Sequence, residues 1–236
     1  MIDASGVSLV CCDVVGAAAA DGGVLERAFA DAIATQGVVV GTAAYVRSMV
    51  QFDRTRGWSP ADVMYTLFPE DEIRAQAASL AFERSFKAAV DRFGVLPLPG
   101  VNDALAKLTA AGIKVCLLSG LSKSALSLIV DRLGWWQRAD LTLCAEDVGR
   151  GFPWPDLVLT AIMRLGIGDV RDVAVVTASE SGVMGARRAG ASLIVGVPGE
   201  VHDTSRLRRA GATHLLADVG ELPDLAGSRT ALARSR

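Results

Sequence analysis

The sequence predicts an α/β fold, a parallel sheet with helices on both faces, carrying an all-helical cap inserted after the first strand. Three observations carry this prediction. Apolar runs of strand length alternate with helical segments through the C-terminal part of the 236-residue chain, the pattern of a sheet covered on both sides. Residues 22–96 read instead as helix after helix, with no strong strand between them. Apolar residues make up 51% of the chain, enough to bury a sizeable core.

The first strand is the apolar run 7–12, closed by Asp13. Helical patterns follow at 24–35, 42–54, 59–67 and 69–93. In Ser59-Pro60-Ala61-Asp62 a capping Ser precedes Pro at the first helical position, where the missing N–H costs nothing. Leu96-Pro97-Leu98-Pro99-Gly100 breaks the helical run, because Pro cannot continue a helix. Strands are then expected at 114–118, 140–144, 172–176, 191–197 and 213–216. Helices are expected between them at 101–111, 123–133, 155–165, 181–189 and 203–210. The predicted division is a core of 1–18 and 97–236 and a cap of 19–96, with a loose tail after Leu225. Ligands of such sheets bind beyond the carboxyl ends of the strands. That rim holds Asp13, Ser119 and the segment after Val176.

Composition excludes several classes. A net charge of −2 gives no reason to expect a nucleic-acid or acidic-membrane partner. No apolar run reaches the length of a membrane span. The start, Met1-Ile2-Asp3-Ala4-Ser5, lacks the basic and apolar stretches of a secretion signal, so a cytoplasmic location is expected. Cys11, Cys12, Cys116 and Cys144 lie in apolar runs without zinc-ligand spacing and read as buried thiols. Adjacent Cys11 and Cys12 would point to opposite faces of a strand. Trp135-Trp136 reads as packing where a helix meets a strand, with a homodimer contact as the alternative. His214 lies in a short strand and is given no ligand role.

Four segments in order carry a family likeness. They are Asp13-Val14-Val15-Gly16-Ala17 with Asp21-Gly22-Gly23, then Leu118-Ser119-Gly120, then residues 147–155, then residues 173–190. The close, Thr213-His214-Leu215-Leu216-Ala217-Asp218-Val219, is similar too. From about residue 7 to 226 the chain resembles the haloacid dehalogenase superfamily, in particular its phosphonatase-like hydrolases, related to phosphonoacetaldehyde hydrolase. The resemblance implies a Rossmann-like core with a helical cap. It implies Asp13 as the nucleophile that forms an aspartyl intermediate. It also implies Mg2+ held by Asp13, a backbone carbonyl and an acid of the fourth segment. Ser119 and Gly120, with a basic residue of the third segment, would bind phosphoryl oxygens.

Against that pattern the chain has lost several groups. Phe152 stands before Pro153 where Arg or Lys is expected, leaving Arg150 as the nearest cation. Ala178 and Gly182 stand where the fourth segment should have acids, leaving Glu180 as its one carboxylate and second candidate metal ligand beside Asp13. Asp53 occupies the place of the Schiff-base lysine of phosphonate-cleaving members. Ala17 replaces the usual Thr near Asp13, while Val15 stands where the superfamily's phosphatases carry a second Asp that the phosphonatase-like branch also lacks.

Each residue also has a plainer reading. Asp13 could be a turn residue, Ser119 a helix cap, Arg150 a solvated loop residue and Glu180 a helix N-terminal acid. Three functions stay open. The first is a divergent hydrolase acting on a small, apolar, non-phosphorylated metabolite in the core–cap cleft. There Asp13 would be nucleophile or general base, and Ser119, Gly120, Arg150, Val15 and Phe152 would line the site together with Trp154. The second is a catalytically inactive binding or regulatory protein. The third is a Mg2+-dependent phosphoric-ester or phosphonate hydrolase with a remodelled metal loop.

Overall fold

A computed structural model describes residues 6–198 and 204–227. The tail expected to be loose lies outside the described residues from 228 onward, as does the first residue of the helix expected at 203–210.

Strand β1 (Leu9–Asp13) is buried along its whole length. After it come a two-residue strand β2 (Ala19–Ala20) and the helices α1 (Val24–Thr35), α2 (Ala43–Arg54), α3 (Pro60–Leu67) and α4 (Glu72–Phe93). The chain then forms β3 (Leu96–Pro97), α5 (Val101–Ala110), β4 (Lys114–Ser119), α6 (Lys123–Leu133), β5 (Leu141–Cys144) and the short α7 (Ala145–Val148). It closes with α8 (Asp156–Leu165), β6 (Val173–Thr177), α9 (Glu180–Ala189), β7 (Leu193–Gly196), α10 (Thr204–Ala210) and β8 (His214–Leu215).

The main sheet has the order β5-β4-β1-β6-β7-β8, with every pairing parallel. Strand order therefore reverses at β1, between β4 and β6, and such switch points open a crevice at the strands' carboxyl ends. Register puts Asp13 beside Leu118 and Cys12 beside Val176. Ser119 and Thr177 thus end their strands one step from the end of β1.

Side chains of one strand alternate between faces. Val10 and Cys12 enter one apolar cluster, Leu9 and Cys11 the other. Each fully buried aliphatic side chain contributes roughly 1.5–3 kcal/mol, and this two-sided burial is what the unbroken apolar strands encode. All four cysteines are free and buried. Trp135 is fully buried and donates from Nε1 to Asn102 Oδ1 at 2.9 Å, whereas Trp136 is half exposed. No helix among the described residues is long and apolar enough to cross a membrane.

Two features were not legible in advance. Strands β2 and β3 pair antiparallel, Ala19 with Pro97 and Ala20 with Leu96, so the chain enters and leaves the four-helix segment at one ribbon. The last cap helix also starts at Glu72 rather than Pro69, because the Asp71 side chain accepts from Arg74 N at 2.9 Å and sets the cap there. Ser59 caps α3 as its sequence suggests, accepting from Asp62 N at 3.1 Å. The faces of α1 and α4 that pack together carry Ala28, Ala32, Ala78 and Ala81 beside Phe29, Phe82 and Phe86, at helical spacing.

Candidate functional site

Three strand ends build the floor of the site. Asp13 ends β1 and is 5% exposed, Ser119 ends β4 at 1%, and Thr177 ends β6 at 0%. The turn after Asp13 is tight. Gly16, at φ +88°, donates from its N–H to Ala19 O at 2.9 Å, a conformation that favours glycine.

Thr177 Oγ1 donates to Asp13 Oδ2 at 3.0 Å and accepts from Ser179 N at 3.1 Å. Asp13 Oδ1 has no hydrogen-bond partner among the described residues. Burial disfavours the charged carboxylate and pushes the Asp13 pKa up to about 7, against the Thr177 hydrogen bond, which lowers it. Ser119 does not cap the next helix, a role Ser122 takes by accepting from Ala125 N. Ser119 Oγ instead accepts from Leu121 N at 3.1 Å.

The cap closes the roof. Between α2 and α3 the loop Arg56-Gly57-Trp58 rests directly on the core. A Cβ on Gly120 would lie 2.2 Å from Gly57 O, and one on Gly57 would lie 2.5 Å from Ser181 Oγ. Ser181 Oγ donates to Arg56 O at 2.5 Å, and Ser179 Oγ lies 3.2 Å from the Ser181 hydroxyl. Outside this seam Arg206 spans from Asp53 of the cap (3.2 Å) to Glu180 of the core (2.5 Å).

Between floor and roof lies a cavity of about 100 Å³. Its walls are mainly cap side chains, Phe29, Phe52, Trp58, Val63, Met64 and Phe82. Phe29 and Phe52 are stacked with ring centroids 4.5 Å apart. The core supplies Asp13, Val15, Ser119, Gly120 and Ala178. The charged groups on the wall besides Asp13 are already engaged. Asp21 accepts from Gly23 N and Leu25 N at the start of α1. Arg56 pairs with Glu26 and with Asp53.

The candidate residues therefore divide. Asp13, Val15, Ser119 and Gly120 meet at the cavity. Arg150, Phe152 and Glu180 do not, which corrects the expectation that they line it. Arg150 is held by Asp156, with its two nearest contacts at 3.0 and 3.1 Å, and lies over the Trp154 ring. Phe152 is buried in the other core cluster, against Gly185 of α9. Glu180 turns outward to Arg206. Ala17 is core and Trp154 is half exposed, so of the four residues expected to make the site apolar only Val15 does so. The apolar lining comes from cap aromatics that the sequence alone did not single out; their one signal was helical spacing, shared with any core residue.

These residues do not fit a magnesium ion. Mg2+ is held by one or two carboxylates with waters completing an octahedron; among the described residues Asp13 is the one carboxylate on the floor, and no three His, Cys, Asp or Glu side chains converge on one point. The positions of the expected acids are also closed. A Cβ at Gly182 would lie 2.1 Å from Thr177 Oγ1, and the Cβ of Ala178 already faces Gly16 at a 3.3 Å separation from a Cβ built there. Asp13 Oδ2 is occupied by Thr177, and Glu180 is tied to Arg206.

Comparison with known proteins gives consistent likenesses. A family model described as haloacid dehalogenase-like hydrolase matches residues 13–190. The chain is 27% identical over 169 residues to the probable phosphatase IndB of Dickeya dadantii, covering 66% of this chain and 73% of that one. It is 34% identical over 94 residues to a phosphonoacetaldehyde hydrolase of Pseudomonas fluorescens, covering 39% of this chain. The chain spans 34% of that enzyme's length, and 46% of a haloacid dehalogenase-like hydrolase domain-containing protein of Arabidopsis thaliana. Among solved structures, a hydrolase from Pseudomonas syringae superposes with a TM-score of 0.79 at 20% identity, covering 94% of this chain and 98% of that one.

Proposed function

We propose, from the premise that this chain belongs to the haloacid dehalogenase-like hydrolase family, that Asp13 acts without a bound metal ion on an unphosphorylated small molecule in the cap–core cavity. One observation carries this reading. The Asp13 carboxyl keeps Oδ1 free on an apolar cavity, with its pKa raised to about 7 by burial. A carboxylate near that value is suited to take and return a proton at neutral pH. Asp13 Oδ1 takes a proton from water as the water oxygen bonds to the ester carbonyl carbon, and as the C–O bond to the leaving alcohol breaks, the alcohol oxygen takes that proton back.

A phosphate ester fits poorly. Its charge would face the Asp13 carboxylate with no free cation on the wall, since Arg56 is shared by two carboxylates. Without a metal that repulsion is uncompensated. The probable-phosphatase and phosphonoacetaldehyde-hydrolase names of the relatives argue the other way and make the test necessary.

The test is turnover of phosphate esters, phosphonoacetaldehyde and a panel of uncharged esters, with excess Mg2+ and with EDTA, for wild type and Asp13→Asn. Turnover of an uncharged substrate that survives EDTA and is lost in Asp13→Asn is the expected result. Mg2+-dependent phosphate release abolished by the same substitution would overturn the reading. A second reading, a binding protein without catalysis, is favoured by Thr177, which engages Asp13 Oδ2. It gains if Asp13→Asn binds ligands as wild type does and neither turns anything over.

A further inference from the structure

Three polar groups on the cavity wall have hydrogen-bonding capacity that no described residue uses. Asp13 Oδ1 is one. Ser119 is the second: its Oγ accepts from Leu121 N, yet its hydroxyl proton goes to no described residue. The third is the indole Nε1–H of half-buried Trp58, which has no partner among the described residues. All three residues line the cavity. Asp13 and Ser119 are 5% and 1% exposed, so what meets their remaining hydrogen-bonding capacity is water or a ligand inside the cavity.

The inventory sets what a ligand must offer. Two donors, Ser119 O–H and Trp58 N–H, call for an acceptor with two lone pairs, which a carbonyl oxygen has. An alcohol oxygen has two lone pairs as well and can also donate to Asp13, so either a ketone or an alcohol meets the inventory. An anion would meet the Asp13 carboxylate, and Arg56 is already engaged. The other polar wall residues, Asp21, Thr55, Arg56 and Ser179, already have partners, and burying further polar groups against the hydrocarbon that remains would cost free energy. The size is bounded too: about 100 Å³ is the order of the ~150 Å³ apolar cavity that admits benzene.

We propose that the cavity binds a compact uncharged ketone or alcohol with a hydrocarbon body of about one ring, its oxygen accepting from Ser119 Oγ and Trp58 Nε1. This rests on the unphosphorylated-ligand reading above and narrows it. Met64 and the stacked Phe29–Phe52 pair receive the hydrocarbon, which a soft thioether and aromatic faces accommodate well.

Three probes with one ring test it by calorimetric titration: cyclohexanone, methylenecyclohexane and cyclohexyl phosphate. Cyclohexanone is expected to bind about tenfold more tightly than methylenecyclohexane, which keeps the shape and lacks the acceptor. Trp58→Phe keeps the aromatic wall and Ser119→Ala keeps the strand. Each is expected to cut cyclohexanone affinity about fivefold to tenfold and to leave methylenecyclohexane within about twofold. Equal binding of ketone and alkene overturns the oxygen-acceptor inference and leaves the unphosphorylated-ligand reading standing. Tighter binding of cyclohexyl phosphate overturns both. Binding of none of the three by folded wild type overturns the ligand class and size, whereas turnover of uncharged esters remains a separate measurement. The wild-type comparison needs no variant, so a variant that fails to fold does not blunt the test.

Discussion

Replacing Asp13 by Asn should make this protein more stable at neutral to alkaline pH. An acid held at about 7 in the fold and near 3.9 in the unfolded chain binds its proton more tightly when folded. Between those values the native state holds a proton that the unfolded state has released, so stability falls as pH rises through the window. The shift of about three units, at about 1.4 kcal/mol each, corresponds to a cost of about 4 kcal/mol at pH 8, absent below about pH 4. Asn carries no charge to desolvate and can still accept from Thr177. Urea unfolding of wild type and Asp13→Asn should therefore give nearly equal stabilities at about pH 4 and a gap opening toward pH 8 in favour of Asn. Equal stabilities at both pH values would refute the reasoning, because they would mean that Asp13 is ionised at no cost. A gap that closes on adding Mg2+ would refute it differently, by showing a cation that stabilises the carboxylate.

Further perturbations test the supports of the site. Thr177→Val removes the hydroxyl that lowers the Asp13 pKa; a hydrogen bond to a charged group is worth about 1.5–3 kcal/mol, so carboxyl NMR titration should place Asp13 about one unit or more higher. Gly120→Ala drives a Cβ to within 2.2 Å of Gly57 O, and overpacking of this kind costs about 1–3 kcal/mol; denaturant unfolding should show it, with weakened ligand binding as the cap loop is displaced. Arg206→Ala removes a part-exposed bridge between Asp53 and Glu180, so the loss should stay under about 1 kcal/mol and shrink in high salt.

The sequence determined the strands of the main sheet, the longer helices and the strand ends. Apolar runs such as Leu9–Asp13 and Val173–Thr177 encode strands buried on both faces, and the helical spacing of the cap encodes its four helices, because both are local patterns set by backbone geometry. That is why Asp13 and Ser119 could be placed on one rim. Tertiary structure decided the rest. Thr177 meets Asp13 across 164 residues, and the Arg56-Gly57-Trp58 loop meets Gly120 and Ser181 only once the cap folds over. The side-chain directions of Arg150 and Glu180 followed the same logic. Asp156 and Arg206 offered partners outside the cavity, and a charged side chain takes the paired, part-solvated site over an apolar wall, because burying an unpaired charge costs more than any contact there returns.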